Sequence, residues 1–331
     1  MTANHSAHKP GRSKCCFGAL VLGIVSVAAL SARGADAPLS WKQTDHSLAL
    51  TQGETILWQH TYDQAEGKPY FHPVTVGGSD TLTDLRPADH IWHRALWFSW
   101  KLINGLNYWE EDKKTGKAQG ETEIVTVKAT PNDDHSARFE LALAYHPPGQ
   151  PPVLTERRIV EVTPPAADGA WSMDWVSTFT AGGADVVLDR TPVTGEAKGV
   201  PHGGYAGLSL RINPALKGWK YAGSEGAAPM QQGRGSTKAR WMSFGGALPD
   251  GKAAAMIVMD HPSSFRHPTS WYLIQGMPYF SPAVLFSSPY TLPAGKSFTL
   301  RYRLLFQPSA VDPAVVEKQW KQFAEEVVPE S

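Results

Sequence analysis

Apolar and polar residues alternate with a period of two along most of the chain. The alternation is clearest at 139–145 and 298–306, where every second side chain is large and apolar. Successive side chains of a β-strand point to opposite faces, so these segments are expected to form half-buried antiparallel strands. Many short strands at this spacing predict an all-β fold, a large antiparallel β-sandwich. Further segments of this kind, separated by Gly, Pro, Asn and Asp, are 47–51, 55–62, 122–129, 155–162, 171–179, 205–212, 239–244, 253–259 and 270–274.

The C-terminal segment has a different period. Asp312 can cap a helix that Pro313 opens, and apolar residues then recur about once per turn at Val316, Trp320, Phe323 and Val327. We therefore predict one C-terminal helix that packs on the sheets. Strands and helices do not alternate, and there is no glycine-rich dinucleotide turn or P-loop, which argues against Rossmann and TIM-barrel folds. No shift in composition marks a linker, so residues 36–331 are expected to form a single β-sandwich domain.

The first 35 residues have the layout of a secretory signal. They contain no Asp or Glu, and an uncharged stretch at 15–32 follows the first three of four basic residues, Lys9, Arg12, Lys14 and Arg33. Glycine and serine dilute the apolarity of this stretch, which favours a cleaved signal over a retained membrane anchor. We predict a signal peptide at 1–35, with an approximate cleavage position. The protein would then be periplasmic or secreted, without stable membrane insertion.

Removal of this segment would change the cysteine content and the charge. The only cysteines, Cys15 and Cys16, lie within it, which excludes thiol catalysis, thiolate metal ligands and disulfides in the remaining chain. Subtracting four of the 31 basic residues leaves 27 against 31 acidic ones, a net charge of about −4. Nucleic acid is therefore not an expected partner. All 12 tryptophans lie after residue 35, and indole rings suit stacking on sugars, although most are expected in the core.

The densest cluster of polar and aromatic residues lies at 70–109, with Asp89-His90-Ile91-Trp92-His93-Arg94 at its centre. Two imidazoles three residues apart can point into the same space on one helical turn or in a tight loop. They could hold a divalent metal ion beside Asp89, or one could act as general acid or base near neutral pH. Arg94 or Arg86 would then bind a substrate carboxylate or hydroxyl pair. The alternative is a buried, hydrogen-bonded corner that supports the sandwich.

Two further loops carry histidine. Glycines at 199–208 would let the backbone approach a ligand beside His202 and Tyr205, although a glycine-bent strand is the alternative. Asp260-His261-Pro262, with Arg266 shortly after it, follows an apolar strand, and polar loops at strand ends often form sites. We expect the histidines to converge on one centre formed by His90, His93, His202 and His261. Four carboxylates are candidates for an acid or base, and their spacing selects none: Glu110, Glu111, Glu196 and Glu225.

At these residues the chain resembles a bacterial family of unknown function labelled methane oxygenase PmoA-like. The resemblance spans most of the chain after residue 35 and rests on the motifs PYFHP at 69–73, DHxxHRALWF at 89–98, NGLNYW at 104–109, HGGYxGL at 202–208 and DHP at 260–262. The family usually has His-His-Arg-Gly where this chain has Trp92-His93-Arg94-Ala95. Particulate methane oxygenase subunits span the membrane several times, so the activity in the label is not carried over to this β-patterned chain.

The resemblance implies an exported protein of bacteria that degrade polysaccharides. By analogy, we expect a supersandwich like that of the galactose mutarotases, which also use His and carboxylates on a concave sheet. The predicted function is an exported carbohydrate-active enzyme, a hydrolase, lyase or epimerase, that acts on a glycoside or sugar acid. A non-catalytic glycan-binding protein is one alternative, which would not need clustered histidines. A metal-dependent oxidative enzyme is another, because histidine suits copper or iron.

The predicted roles follow from these motifs. The predicted catalytic residues are His90, His93, His202 and Asp260. The predicted ligands of one divalent metal ion are His90, His93 and His202. The predicted substrate-binding residues are Arg86, Arg94, Trp97, Trp109, Tyr205, His261 and Arg266.

Overall fold

A computed structural model of the protein describes residues 37–216 and 218–327. These residues form twenty-three β-strands and one α-helix, which confirms the predicted all-β fold with a C-terminal helix. The predicted signal peptide at 1–35 lies outside the described residues. No helix in the described part of the chain is long and apolar enough to cross a membrane.

In chain order the elements are β1 (Leu39–Thr44), β2 (Ser47–Gln52), β3 (Thr55–Thr61), β4 (Tyr70–Val74), β5 (Leu96–Ser99), β6 (Leu102–Ile103), β7 (Leu106–Asn107), β8 (Glu121–Pro131), β9 (Ala137–His146), β10 (Leu154–Val162), β11 (Trp171–Ala181), β12 (Val186–Asp189), β13 (Gly207–Arg211), β14 (Lys220–Gly223), β15 (Gly226–Ala227), β16 (Met230–Gln231), β17 (Arg234–Lys238), β18 (Trp241–Ala247), β19 (Ala253–Asp260), β20 (Ser270–Ile274), β21 (Tyr279–Pro282), β22 (Tyr290–Leu292), β23 (Ser297–Gln307) and α1 (Pro313–Glu325).

The strands form three antiparallel sheets within the described residues. The ten-stranded sheet has the order β1-β2-β3-β4-β5-β13-β21-β20-β17-β16, and the nine-stranded sheet has the order β15-β14-β18-β19-β23-β11-β10-β9-β8. A small sheet has the order β22-β12-β6-β7. Strands distant in sequence become neighbours, as where Phe98 of β5 pairs with Leu208 of β13. This order brings loops from separate parts of the chain to one region of the ten-stranded sheet.

The main core lies between the two large sheets, as in a sandwich. The ring centroid of Phe71 on β4 lies 5.8 Å from that of Phe139 on β9 and 6.3 Å from that of Trp175 on β11. In β11 the odd-numbered residues from Trp171 to Ala181 are buried and those between them are half-buried. The period-two pattern of the sequence is therefore the pattern of burial against this core, where each large apolar side chain contributes about 1.5–3 kcal/mol.

Part of the outer face of each large sheet is also covered. Helix α1 packs on the nine-stranded sheet, where Val316 and Phe323 contact a cluster that includes Trp241. On the outer face of the ten-stranded sheet, a second buried aromatic cluster includes Trp97 of β5 and Tyr279 of β21. The neighbours of Trp97 in β5, Leu96 and Phe98, belong to the main core instead. The candidate site lies against this second cluster.

Helix α1 begins where the sequence predicted. Asp312 is extended, and its carboxylate accepts a hydrogen bond from the Ala314 N–H at 2.9 Å, while Pro313 occupies the first turn. Val316 and Phe323 are buried as their period predicted. Val327 was wrongly assigned to the apolar face, because α1 ends at Glu325 and Val327 is 87% exposed.

Candidate active site

A pocket with a volume of about 380 Å³ lies on the outer face of the ten-stranded sheet. Five stretches of chain build it: the loop before β5, the segment after β7, the loop before β13, the start of β17, and the β20–β21 hairpin. The pocket thus combines residues that are up to about 190 positions apart. Its lining residues are His90, Trp92, His93, Trp109, Glu110, His202, Tyr205, Arg234, Tyr272, Ile274, Met277 and Tyr279.

A tight turn presents the two histidines of the Asp89–Arg94 motif. The His93 N–H donates to the His90 carbonyl at 2.9 Å, and the two imidazole centroids stack 4.7 Å apart. His90 Nδ1 lies 3.0 Å from Asp89 Oδ2, and Arg211 of β13 donates to both Asp89 oxygens at 2.9 and 3.0 Å. Asp89 therefore orients the partly exposed His90 ring, and Arg211 anchors that carboxylate to the sheet.

His93 is held neutral at the floor of the pocket. Its side chain is buried between His90, Trp97 and Tyr279. Burial, followed by the positive charges that surround it, lowers the pKa of His93 to about 2. Within the described residues its buried Nδ1 has no hydrogen-bond partner. A neutral imidazole in this position can donate or accept one hydrogen bond without carrying charge.

Glu110 is the carboxylate that lines the pocket. It accepts hydrogen bonds from the Tyr205 hydroxyl at 2.7 Å and from Asn107 Nδ2 at 2.6 Å, and it forms an ion pair with Lys101. Burial by itself would raise the pKa of Glu110, but the charge of Lys101 and these hydrogen bonds lower it below its usual value. Burial and the charge of Glu110 raise the pKa of Tyr205. Glu110 is thus an ionised acceptor, and Tyr205 is a protonated donor.

Arg234 and Tyr272 form a positively charged, hydrogen-bond-donating part of the pocket lining, in contrast to the carboxylate of Glu110. Arg234 Nη1 donates to the Tyr272 hydroxyl at 3.0 Å, and this hydroxyl donates to the His202 carbonyl at 3.4 Å. Among the described residues, no carboxylate forms an ion pair with Arg234, although the side chain is half-buried. The hydrogen bonds connect β17 and β20 to the loop that carries His202.

A buried ion-pair group supports the pocket from behind, and it corrects the role predicted for Arg94. Arg94 Nη2 donates to both oxygens of Glu111 at 2.8 and 3.0 Å, and Lys68 Nζ donates to Glu111 at 3.0 Å. Arg94 also donates to the carbonyls of Ile91 and Glu66. Its guanidinium is 1% exposed and its two terminal nitrogens donate to these groups, so it holds the turn in place and does not line the pocket.

Two more predicted substrate-binding residues lie outside the pocket lining. Arg86 pairs with Glu66 at 2.7 Å and lies 3.8 Å from Glu111, so it extends the supporting group. Trp97 is completely buried, with its ring centroid 5.4 Å from that of Trp109 and 5.1 Å from that of His93. Trp97 supports these rings from below and has no face free for a sugar. Trp109 and Tyr205 do line the pocket.

The third predicted loop does not join the other two. Asp260 is buried and accepts hydrogen bonds from His267 Nδ1 at 2.8 Å and from the Thr269 N–H at 2.9 Å. His261 packs its ring 4.9 Å from Phe323 of α1, against the nine-stranded sheet. Arg266 donates to three backbone carbonyls at 2.6–3.2 Å. The expected convergence of His261 with the pocket histidines was therefore wrong, because its strand belongs to the other sheet.

The predicted metal ligands are also not arranged as a set. Within residues 37–216 and 218–327, no three His, Cys, Asp or Glu side chains are close enough to hold a metal ion. His90 and His93 stack face to face, and His202 contributes a different wall of the pocket. The ligand set of His90, His93 and His202 is thus not formed, while the same histidines do share one pocket.

The sequence profile of a family of unknown function (DUF6807) matches residues 47–321. The chain belongs to this family. The label PmoA-like stays a prediction. A search of curated proteins gives no match. Among solved structures, the chain is similar to a protein from Klebsiella pneumoniae subsp. pneumoniae provisionally described as an aldose 1-epimerase, with 8% identity, a TM-score of 0.33, and coverage of 87% of this chain and 92% of that one.

At this level of similarity, the function of the DUF6807 protein has to be inferred from its pocket. Sequence reasoning missed Arg234 and Tyr272 there, and it did not separate Glu110 from three other carboxylates. Glu110 was one of four carboxylates that spacing could not separate, although it directly follows Trp109 in the aromatic cluster. Arg234 and Tyr272 had no signal, because each lies in an ordinary strand. Only the pairing of β17 with β20, in which Arg234 lies opposite Ile274, places them beside the histidines.

Proposed function

We propose that this DUF6807 member is a carbohydrate-active enzyme that works by proton transfer in the pocket beside His90. One observation carries the proposal: a single pocket holds imidazoles, an ionised carboxylate and aromatic walls, all presented by the outer face of one sheet. Binding alone would need the aromatic walls and hydrogen-bonding groups. An imidazole beside a carboxylate that can orient it is the usual arrangement for acid–base catalysis.

The walls of the pocket suit a sugar ring. Tyr205 and Trp92 are half-buried and line the pocket, and Trp109, which is 2% exposed, packs against Tyr205 with ring centroids 5.2 Å apart. Aromatic faces pack on the C–H faces of pyranose rings, while the hydroxyls need fixed donors and acceptors at the rim. Glu110 is such an acceptor and Arg234 is such a donor.

The polar groups of the pocket would have separate roles in the reaction. His90 would transfer a proton to or from the substrate, since its ring is partly exposed and its Nδ1 lies 3.0 Å from Asp89 Oδ2. Glu110 would accept a substrate hydroxyl or act as the second acid–base group, with Tyr205 and Lys101 fixing its position. His93 would contribute a neutral hydrogen bond from the floor. Hydrolysis, elimination and epimerisation are all compatible with this pair of groups.

We also propose that the protein acts outside the cytoplasm. The basic, acid-free segment at 1–35 with its uncharged stretch supports this location.

The proposal is tested by turnover of a panel of glycosides and free sugars, followed by NMR so that hydrolysis, elimination and epimerisation are all visible. His90→Ala and Glu110→Gln should each lower kcat/KM by about 100-fold or more, because each removes a proton-transfer group or its partner. His261→Ala is the matched control, since this histidine contacts α1, and it should retain turnover. Equal turnover by all three variants would overturn the roles of His90 and Glu110, and binding of sugars by wild type without any conversion would leave a glycan-binding protein.

A further inference from the structure

The charged side chains in the pocket lining are not balanced. Glu110 forms an ion pair with Lys101, and Asp89, which holds His90, pairs with Arg211. Arg234 has a tyrosine hydroxyl as its partner and no carboxylate among the described residues. A half-buried guanidinium without a counter-charge loses solvation that one tyrosine hydroxyl replaces only in part.

The sheet fixes the position of this guanidinium. Arg234 is the first residue of β17, and it pairs with Gln231 across the β16–β17 hairpin and with Ile274 of β20 on the other side. Gly233 takes a φ of +75°, which the tight hairpin turn requires. The hydroxyl of Tyr272 then holds one end of the side chain at 3.0 Å. Most of the N–H donors of Arg234 are left for a ligand.

We propose that Arg234 and Tyr272 form a subsite for an anionic group, so that the substrate is a sugar carrying a carboxylate or a sulfate ester. A planar guanidinium binds such oxyanions through two parallel hydrogen bonds, and a neutral sugar hydroxyl cannot replace the missing charge. This inference rests on the proposed function and deepens it, because the acid–base residues act on whatever this subsite holds in place.

A bound carboxylate would also serve the chemistry. Neutralising the charge of a uronate at Arg234 makes the C–H next to the carboxylate more acidic, since the carbanion that forms on deprotonation is stabilised. Removal of that proton by a base is the first step of both elimination and epimerisation at this carbon. Arg234 is thus a binding residue with an electrostatic effect on the reacting carbon.

Isothermal titration with matched probes tests the subsite. The methyl glycosides of glucuronic and galacturonic acid form the carboxylate arm, methyl glucoside and galactoside 6-sulfates form the sulfate arm, and the unmodified methyl glucoside and galactoside form the neutral arm. Wild type should bind one anionic arm at least about tenfold more tightly than the neutral arm, and its affinity should fall as salt is added. The arm that binds identifies the anion.

Arg234→Gln should reduce the affinity for the anionic arm by about tenfold or more and leave the neutral arm within about twofold. Arg234→Lys should restore part of the affinity, because it returns the charge without the planar fork. Arg157→Gln, on the exposed side of β10, is the control and should behave as wild type. Equal binding of anionic and neutral probes by wild type would overturn the anion subsite while leaving the proposed function standing. Binding of no probe from any arm would overturn both.

Discussion

Ala95 takes a left-handed backbone conformation although it carries a Cβ atom. Its φ is 66°, it is completely buried, and it directly follows Arg94, which anchors the histidine turn. This conformation costs a non-glycine residue about 1–2 kcal/mol. The left-handed conformation is a physical reason for the glycine that is usual at this position in the family that the sequence resembles. The strain is located between the pocket turn and β5, where the backbone has to leave the turn and enter the sheet.

Ala95→Gly should therefore cost less stability than a buried Ala→Gly substitution normally does. Relief of about 1 kcal/mol offsets the loss of the methyl group and the extra entropy of the unfolded chain. Ala254→Gly, at an equally buried position in β19, is the control and should lose about 1–2 kcal/mol. Urea unfolding measures both free energies. Equal losses for the two variants would mean that the conformation at position 95 carries no strain.

His93 makes the fold sensitive to acid. Its pKa is lowered to about 2 by burial, while an unfolded chain would protonate a histidine near pH 6.5. Below pH 6.5 the unfolded state therefore binds a proton that the folded state excludes, and stability falls as the pH is lowered. This destabilisation is small above pH 6.5, and it lowers the free energy of unfolding by about 2 kcal/mol between pH 7 and pH 5.

His93→Gln should lose about 2 kcal/mol less than wild type over that interval, whatever the substitution does to stability at pH 7. Urea unfolding at both pH values gives the difference. His46→Gln, at an exposed position before β2, is the control and should lose as much as wild type. A His93→Gln variant with an unchanged pH dependence would show that this imidazole is not excluded from protonation in the folded state.

At the scale of the elements, α1 shows that the helical period of apolar residues predicts which side chains are buried. The valines at 315 and 316 are chemically identical, but the helical period turns Val316 onto the nine-stranded sheet, where it is 1% exposed, and leaves Val315 52% exposed. The same pattern failed only past the end of the helix, at Val327. Helix period and capping are local properties, so the sequence alone was sufficient for them.

Val316→Ala should destabilise the protein by about 2 kcal/mol, because it removes two buried methyl groups and leaves a cavity under α1. Val315→Ala should change the free energy of unfolding by less than about 0.5 kcal/mol. Both are measured by urea unfolding, and both should leave ligand binding unchanged, because α1 and the pocket are on different sheets. Equal losses for the two valines would contradict the packing of α1 on the sheet.

Strands with one buried face were predicted directly from their alternation, and β19, which is buried on both faces, was also among the predicted segments. The alternation in β9, β11 and β23 marked those strands directly. In contrast, β5 was not among the predicted segments, since Leu96 and Phe98 enter the main core while Trp97 enters the second cluster. A strand with both faces buried has no polar positions to alternate with apolar ones.

At the scale of the whole molecule, the order of strands in each sheet could not be predicted from the sequence. The motifs at His90 and His202 were correctly identified as neighbours, because β5 and β13 pair in the ten-stranded sheet. His261 looked equivalent in sequence but follows β19, which lies in the other sheet. Arg234 was missed because nothing in the sequence indicated that β17 lies in the same sheet as β5 and β13. Which strands pair depends on contacts between distant residues, and the alternation within each strand carries no record of them.

Glu110 and Glu111 are consecutive, yet one faces the pocket beside Tyr205 and the other is buried with Arg94 and Lys68. The length of the chain between Asn107 and Glu111 is therefore as important as its composition. One inserted residue would displace both carboxylates, leaving Arg94 and Lys68 without a counter-charge and moving the proposed acid–base carboxylate out of the pocket at once. Relatives with the proposed function should therefore keep the number of residues between Asn107 and Glu111 unchanged.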